Sequence, residues 1–174
     1  MQPDEMNEIT VEAVGSLTDE VRALIGELDQ TLAREYSAEQ QHGLRPEAIF
    51  QPHVRFFLAR LDGVAVGCGG VALFEDFAEV KRMYVRDSVR GQGIGRALLL
   101  RIESAAIEGG HDELRLETGD KQLAAIRLYE RAGFQRCAAF HDYKSMAPSA
   151  IATSLFFEKH LTGTNIAEPK KDGP

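Results

Sequence analysis

An apolar strand that runs into a glycine-rich turn and then directly into an amphipathic helix constrains this chain more than any other feature. The stretch is Val85-Arg86-Asp87-Ser88-Val89-Arg90-Gly91-Gln92-Gly93-Ile94-Gly95-Arg96-Ala97-Leu98-Leu99-Leu100. Glycines at alternate positions 91, 93 and 95 let the main chain aim its N–H groups at one point. The helix behind adds its unpaired N-terminal N–H groups and the positive end of its dipole. The expected ligand carries a phosphate or pyrophosphate. A Walker loop would end in Gly-Lys-Ser/Thr where this turn ends Gly95-Arg96-Ala97, and a dinucleotide fingerprint would need glycine in place of Arg96 or Leu98. Neither of those phosphate loops is present.

Around this unit the hydrophobic pattern alternates between the two periods. Ile9 to Val14 reads as a first strand, and Thr18-Asp19-Glu20 opens a helix over residues 18–34 with Val21, Leu24, Ile25, Leu28 and Leu32 at helical spacing. Residues 35–52 mix Tyr36, Gln40, Gln41, His42 and Gly43 with two prolines, and predict a substrate-side loop with a short helix near Pro46 to Phe50. Val54 to Leu61 and Val64 to Leu73 flank Asp62-Gly63, a strong hairpin signal. Phe77 to Arg86 gives a fourth strand, Gly93 to Ile107 the second long helix, and Glu113 to Thr118 a fifth strand. Leu123, Ile126, Leu128 and Tyr129 mark a helix stopped by Ala132-Gly133. Phe134 to Ala139 and Ser154 to His160 close the sheet, with a polar loop around Tyr143 and Pro148 between them. The apolar stretch Ile151 to Phe157 either completes that sheet or pairs across a homodimer.

At 174 residues the chain is the size of one domain. Its apolar runs, such as Val64 to Phe74, are too short to span a bilayer, and its first residues are acidic where a signal peptide would be basic. A soluble cytoplasmic protein, not a membrane protein, is expected. The net charge of −7 argues against a nucleic-acid partner, which would call for a basic stripe. An acidic surface tolerates cationic amines, and equally serves solubility. Cys68 and Cys137 are far apart in sequence and are expected reduced and buried, and the five histidines are scattered without ligand spacing, so no metal site is expected.

Arg90-x-x-Gly93-x-Gly95 resembles the pyrophosphate-binding signature of the GNAT N-acetyltransferases, enzymes that use acetyl-CoA. The run Ala125-Ile126-Arg127-Leu128-Tyr129-Glu130-Arg131-Ala132-Gly133-Phe134 resembles a later motif of the same superfamily, in the right order and spacing. The likeness spans residues 54–140. Glu79-Val80-Lys81-Arg82-Met83, Leu116-Glu117-Thr118-Gly119, and Phe140-His141-Asp142-Tyr143-Lys144 followed by Pro148 resemble its YsnE-like bacterial subgroup. The resemblance implies an α/β (α+β) fold with a mixed, mostly antiparallel sheet of six to seven strands and helices on both faces. It also implies a single acetyltransferase domain over residues 1–161, and a disordered C-terminal tail is expected over 162–174.

The activity implied is transfer of an acetyl group from acetyl-CoA to the amine of a small molecule or an amino-acid-like acceptor. A noncatalytic acyl-CoA-binding sensor and a protein or peptide N-acetyltransferase are the alternatives. The resemblance assigns backbone groups of Met83, Tyr84 and Val85 to the pantetheine arm. It assigns Arg90, Gly91, Gln92, Gly93, Ile94, Gly95, Arg96 and Ala97 to the pyrophosphate, with Arg90 or Arg96 adding charge. Gln122 stands where the family commonly has an asparagine that contacts the CoA arm. Tyr129 would lie near the thioester sulfur and protonate the leaving thiolate, since a phenol is a neutral donor at pH 7. A core tyrosine is the competing reading. Glu79, eleven residues before Arg90, stands where histone-acetylating relatives place their base. An exposed charge pair is the alternative there. Strand alternation predicts Glu79, Lys81, Met83 and Val85 on one face and Val80, Arg82 and Tyr84 on the other. Glu117 and Tyr36 are the substrate-binding candidates, Glu117 for a cationic group.

Overall fold

The computed structural model describes residues 7–162; beyond Thr162, the expected tail lies outside the described residues. The chain opens with β1 (Ile9–Ala13) and α1 (Asp19–Glu35). Thr18 caps the helix, its hydroxyl accepting the Val21 N–H at 3.3 Å. β2 (Val54–Leu61) and β3 (Val64–Leu73) form the expected hairpin, in which Asp62 and Gly63 both adopt positive φ, 49° and 82°. That is the backbone a two-residue turn needs to match the strand twist. β4 (Ala78–Val85), α2 (Ile94–Glu108), β5 (Glu113–Gly119), α3 (Leu123–Arg131), β6 (Gln135–Cys137), α4 (Pro148–Ile151) and β7 (Ser154–His160) follow. β6 is shorter than the stretch expected, because Phe134 turns into the core beside Tyr129 and only three residues pair with β7.

The strands form one sheet in the order β1-β2-β3-β4-β5-β7-β6, and only β4 and β5 run parallel. The sheet is buried on both faces. Phe57, Ala59, Val66 and Val80 pack against Ile94, Leu98 and Ile102 of α2 and, farther along, Tyr129 of α3. Phe56, Leu58, Ala65 and Cys68 pack against Val21, Leu24 and Ile25 of α1. Strand alternation thus sends neighbouring residues of β2 into two different cores. A third cluster joins Phe77, Phe140, Tyr143 and Phe156.

β7 lies inside the sheet between β5 and β6. Of the two roles considered for Ile151 to Phe157, the structure shows the simpler one, completing the sheet, and an inner strand offers no free edge for pairing with a second copy. Both cysteines are free, but Cys137 is only half buried, on the short outer strand β6. No helix among the described residues is long and apolar enough to cross a membrane, and no group of three or more potential metal-ligating side chains forms among them.

One feature of β4 departs from simple alternation. Cys68 pairs with Tyr84 and Gly70 with Lys81, so Gly69 alone faces the two residues Arg82 and Met83. Arg82 takes a positive φ of 55°. This bulge reverses the side-chain phase: Met83 and Val85 join Val80 on the α2 side, while Tyr84 packs on the α1 side. The expected grouping of Met83 and Val85 with Glu79 and Lys81 is corrected accordingly. Parallel pairing with β5 covers only Ala78 with Leu114 and Glu79 with Arg115. A bulge bends its strand, and past Glu79 β4 has no partner on its β5 side.

Candidate active site

The glycine-rich turn meets the requirements of an anion cradle. Gly91 and Gly93 have φ of +81° and +89°, a backbone that side chains oppose. Gly93 caps α2 without any side-chain hydrogen bond. The N–H groups of Ile94, Gly95 and Arg96 therefore open the helix unpaired, as the first turn requires. Ala97 does not join them, because its N–H already bonds the Gly93 carbonyl at 3.0 Å. Gly95 serves a steric purpose: a Cβ there would lie 3.0 Å from Leu128 Cδ2, so its absence lets α2 approach α3. The Ile94 side chain is buried in the core, which leaves only its backbone for a ligand. Gln92 is exposed and accepts a bond from Asn7.

The two arginines of the turn differ. Arg90 pairs with Asp87, and its Nε donates to the Val85 carbonyl at 3.0 Å. It braces the end of β4 and occupies one of the backbone groups expected to meet pantetheine. Arg96 is exposed and has no ion pair among the described residues, leaving its charge free for an anion. Tyr84 directs its hydroxyl to Glu27 on α1 at 3.1 Å, and Arg86 bonds the same carboxylate. The Arg86 guanidinium holds the Glu27 carboxyl below its ordinary range. Unpaired N–H groups beside an unpartnered strand edge fit a ligand with a pyrophosphate head and an amide-bearing arm.

Where β4 and β5 part, a cavity of about 100 Å³ opens. Tyr36, Glu79, Met83, Glu117, Gln122 and Tyr129 all line it. The fold thus brings together, from α1, β4, β5 and α3, the catalytic and substrate-side residues expected from the sequence. Val85 and the cradle lie outside this lining.

Glu79 is only 4 % exposed. Its Oε1 accepts the Tyr143 hydroxyl at 2.8 Å and lies 3.1 Å from Lys81 Nζ, which also donates to Tyr143 Oη at 3.1 Å. The exposed charge-pair reading does not describe this buried group. Tyr143, on a 3₁₀ turn over His141–Ser145, was not among the site residues expected from the sequence. The motif around it was visible, but nothing local indicated that its phenol would cross to β4. Burial, then the negative charge of Glu79, pushes that phenol far above its ordinary pKa.

Across the opening, Glu117 makes no ion pair among the described residues, and burial raises its carboxyl above the ordinary range. Tyr129 packs against Phe134 and Phe157 with its phenol pKa raised by burial and then by the charge of Glu117. It is thus both a core tyrosine and a cavity residue. Tyr36 is fixed as a wall, its hydroxyl accepting the Lys121 N–H at 2.7 Å. A Cβ on Gly119 would sit 2.2 Å from that hydroxyl. Gly119→Ala is therefore expected to push Tyr36 aside at a cost of about 1–3 kcal/mol, read as a Tm lowered by several degrees in thermal unfolding.

Two segments roof the cavity. His42 Nε2 donates to the Ala150 carbonyl at 2.8 Å, and Ser149 Oγ donates to Glu39 at 2.7 Å. The His42 ring also meets Tyr143 edge-on, with centroids 5.6 Å apart. The 35–52 segment and the one following Phe140 thus clasp each other above Glu79 and Glu117.

The family model for the acetyltransferase (GNAT) family matches residues 24–134. An IAA acetyltransferase from Azospirillum brasilense is 41% identical over 158 residues, covering 90% of this chain and 100% of that protein. The uncharacterized N-acetyltransferase YsnE of Bacillus subtilis is 30% identical over 137 residues, covering 77% of this chain and 91% of that protein. A solved, provisionally assigned acyl-CoA N-acyltransferase from Klebsiella pneumoniae is 36% identical and superposes with a TM-score of 0.71, covering 88% of this chain and 98% of that one.

Proposed function

Because the chain belongs to the GNAT acetyltransferase family, we propose that it transfers the acetyl group of acetyl-CoA to the amine of a small, cationic acceptor. Acyl-CoA-dependent N-acetyl transfer is the chemistry of this family, and acetyl-CoA is the donor. The acceptor class is the new element. Its main support is the position of Glu117, a carboxylate withdrawn from solvent, free of ion pairs among the described residues, inside a roofed cavity. Burial outweighs the nearby Ser154 hydroxyl and the more distant Lys81 ammonium at this carboxylate. A charge withdrawn from solvent with no ion-pair partner is costly, and an ammonium group supplies that partner. The clasp between His42 and Ala150 favours a small acceptor over a protein segment, which would need an open groove.

In this reading acetyl-CoA supplies the electrophilic carbonyl and a thiolate leaving group. The cradle and the open β4 edge hold its pyrophosphate and pantetheine. Glu117 anchors the acceptor ammonium, Glu79 takes up its proton, and Tyr129 donates a proton at the sulfur. The test is free CoA release from acetyl-CoA with small amines, amino acids, peptides, and IAA, the acceptor named for the Azospirillum relative. Turnover with small cationic amines is expected. Turnover confined to peptides or to uncharged acceptors overturns the proposal.

Glu117→Gln is expected to raise the acceptor KM roughly 10- to 100-fold, the range for losing a hydrogen bond to a charged group, with the acetyl-CoA KM unchanged. The pH dependence has a definite sign. Burial raises the carboxyl pKa, so as pH falls Glu117 loses its charge sooner than an ordinary glutamate and the acceptor KM climbs. The same shift makes the ionised form a liability for folding: its cost is absent below the unfolded pKa and grows as pH rises toward the folded one. At neutral pH the glutamine variant is therefore expected to melt higher than the wild type in calorimetry.

A further inference from the structure

The closed triangle of Tyr143, Glu79 and Lys81 goes beyond a glutamate base acting alone. We propose that the Tyr143 hydroxyl is the group that meets the acceptor nitrogen, and that it relays the acceptor's proton to Glu79. The inference rests on the amine-acetylating reading above and assigns a role to a residue that reading leaves idle.

The hydrogen-bond inventory carries it. Glu79 Oε1 has both of its partners inside the protein, the Tyr143 hydroxyl and the Lys81 ammonium. The Tyr143 oxygen donates once, to Glu79, and accepts once, from Lys81. A phenol oxygen has a second lone pair, and Tyr143 lines the same cavity as Glu117. An ammonium held by Glu117 thus finds an acceptor on Tyr143. The polarity of the relay is set from both sides. Lys81 can only donate, and the raised pKa of the phenol keeps its proton in place, pointed at Glu79. Ring edges of Phe140 and Phe156, each with its centroid 5.2 Å from that of Tyr143, hold the phenol in position.

The step balances without any other reactant. One N–H bond of the acceptor ammonium breaks toward Tyr143 Oη while the hydroxyl proton passes to Glu79 Oε1. The products are a neutral amine, a neutral Glu79 carboxylic acid and an unchanged phenol. No tyrosinate forms, so the high phenol pKa does not obstruct the relay.

The test compares the wild type with Tyr143→Phe, Glu79→Gln and the double variant in the full-length protein, using an amine that the wild type acetylates. Acetyl-CoA binding by calorimetry serves as the control for folding. Tyr143→Phe is expected to lower kcat about 100-fold, and the double variant to lose little beyond Glu79→Gln alone, because the two groups act as a unit. The defect of Tyr143→Phe should also shrink for acceptors of lower amine pKa, which arrive already neutral. A purely structural role would not respond to the acceptor's pKa. Wild-type kcat in Tyr143→Phe, or a defect indifferent to acceptor pKa, overturns the relay while leaving amine acetylation intact. A wild type that acetylates no amine instead removes the underlying reading.

Discussion

Glu79→Gln is expected to lower kcat by about 100- to 10,000-fold, the usual worth of a general base, with acetyl-CoA affinity little changed. Glutamine keeps the shape and a carbonyl oxygen that can still accept the Tyr143 hydroxyl, so the cavity wall should stand. What disappears is the capacity to take up a proton. The substitution also leaves the Lys81 ammonium, 13 % exposed, beside a neutral amide. Some stability should be lost with its partner, and thermal unfolding measures this separately from turnover. Steady-state kinetics with both substrates varied, together with direct acetyl-CoA titration, checks the result. Unchanged kcat would remove Glu79 from the chemistry.

Tyr129→Phe carries the second large expectation, a fall in kcat of about 100- to 1,000-fold, comparable to losing one donor aimed at developing charge. The ring packs edge-on to Phe134 with centroids 5.8 Å apart and leans on Phe157. Phenylalanine preserves that packing, so the fold is not expected to suffer. Without the hydroxyl the thiolate must leave unprotonated. Acetyl donors whose thiols are more acidic should therefore suffer less from the substitution, and measuring kcat across such donors separates a proton donor from a packing residue. A defect that is the same for all donors would assign Tyr129 to packing alone.

Much of this architecture was legible in the sequence because its determinants are local. The Thr18 cap, the apolar spacing of Val21, Leu24, Ile25 and Leu28, and the Asp62-Gly63 turn each act within a few residues. The element boundaries implied by them hold closely along most of the chain. The bulge at Arg82 was not legible, since it arises only when β4 is laid against β3 and two residues must face Gly69. It overturned the expected faces of Met83 and Val85. Ala97 shows a smaller error of the same kind: it sits in the motif, but its N–H is consumed by the first helical bond. Tyr143 was visible as part of a motif, yet its partner Glu79 lies 64 positions away.

The sequence by itself determined the order of strands and helices along the chain, the glycine-rich turn that opens α2 and the family to which the chain belongs. These follow from backbone dihedral preferences, hydrophobic period and motif spacing, all short-range properties. Only the tertiary structure decided that Glu79 is buried against Tyr143 and Lys81, that Glu117 faces the cavity without an ion-pair partner among the described residues, and that His42 and Ala150 close the roof. Such facts depend on the parting of β4 from β5 and on segments about a hundred residues apart packing together. Charge, burial and hydrogen-bond partners are properties of that assembled space, and no local stretch of chain contains them.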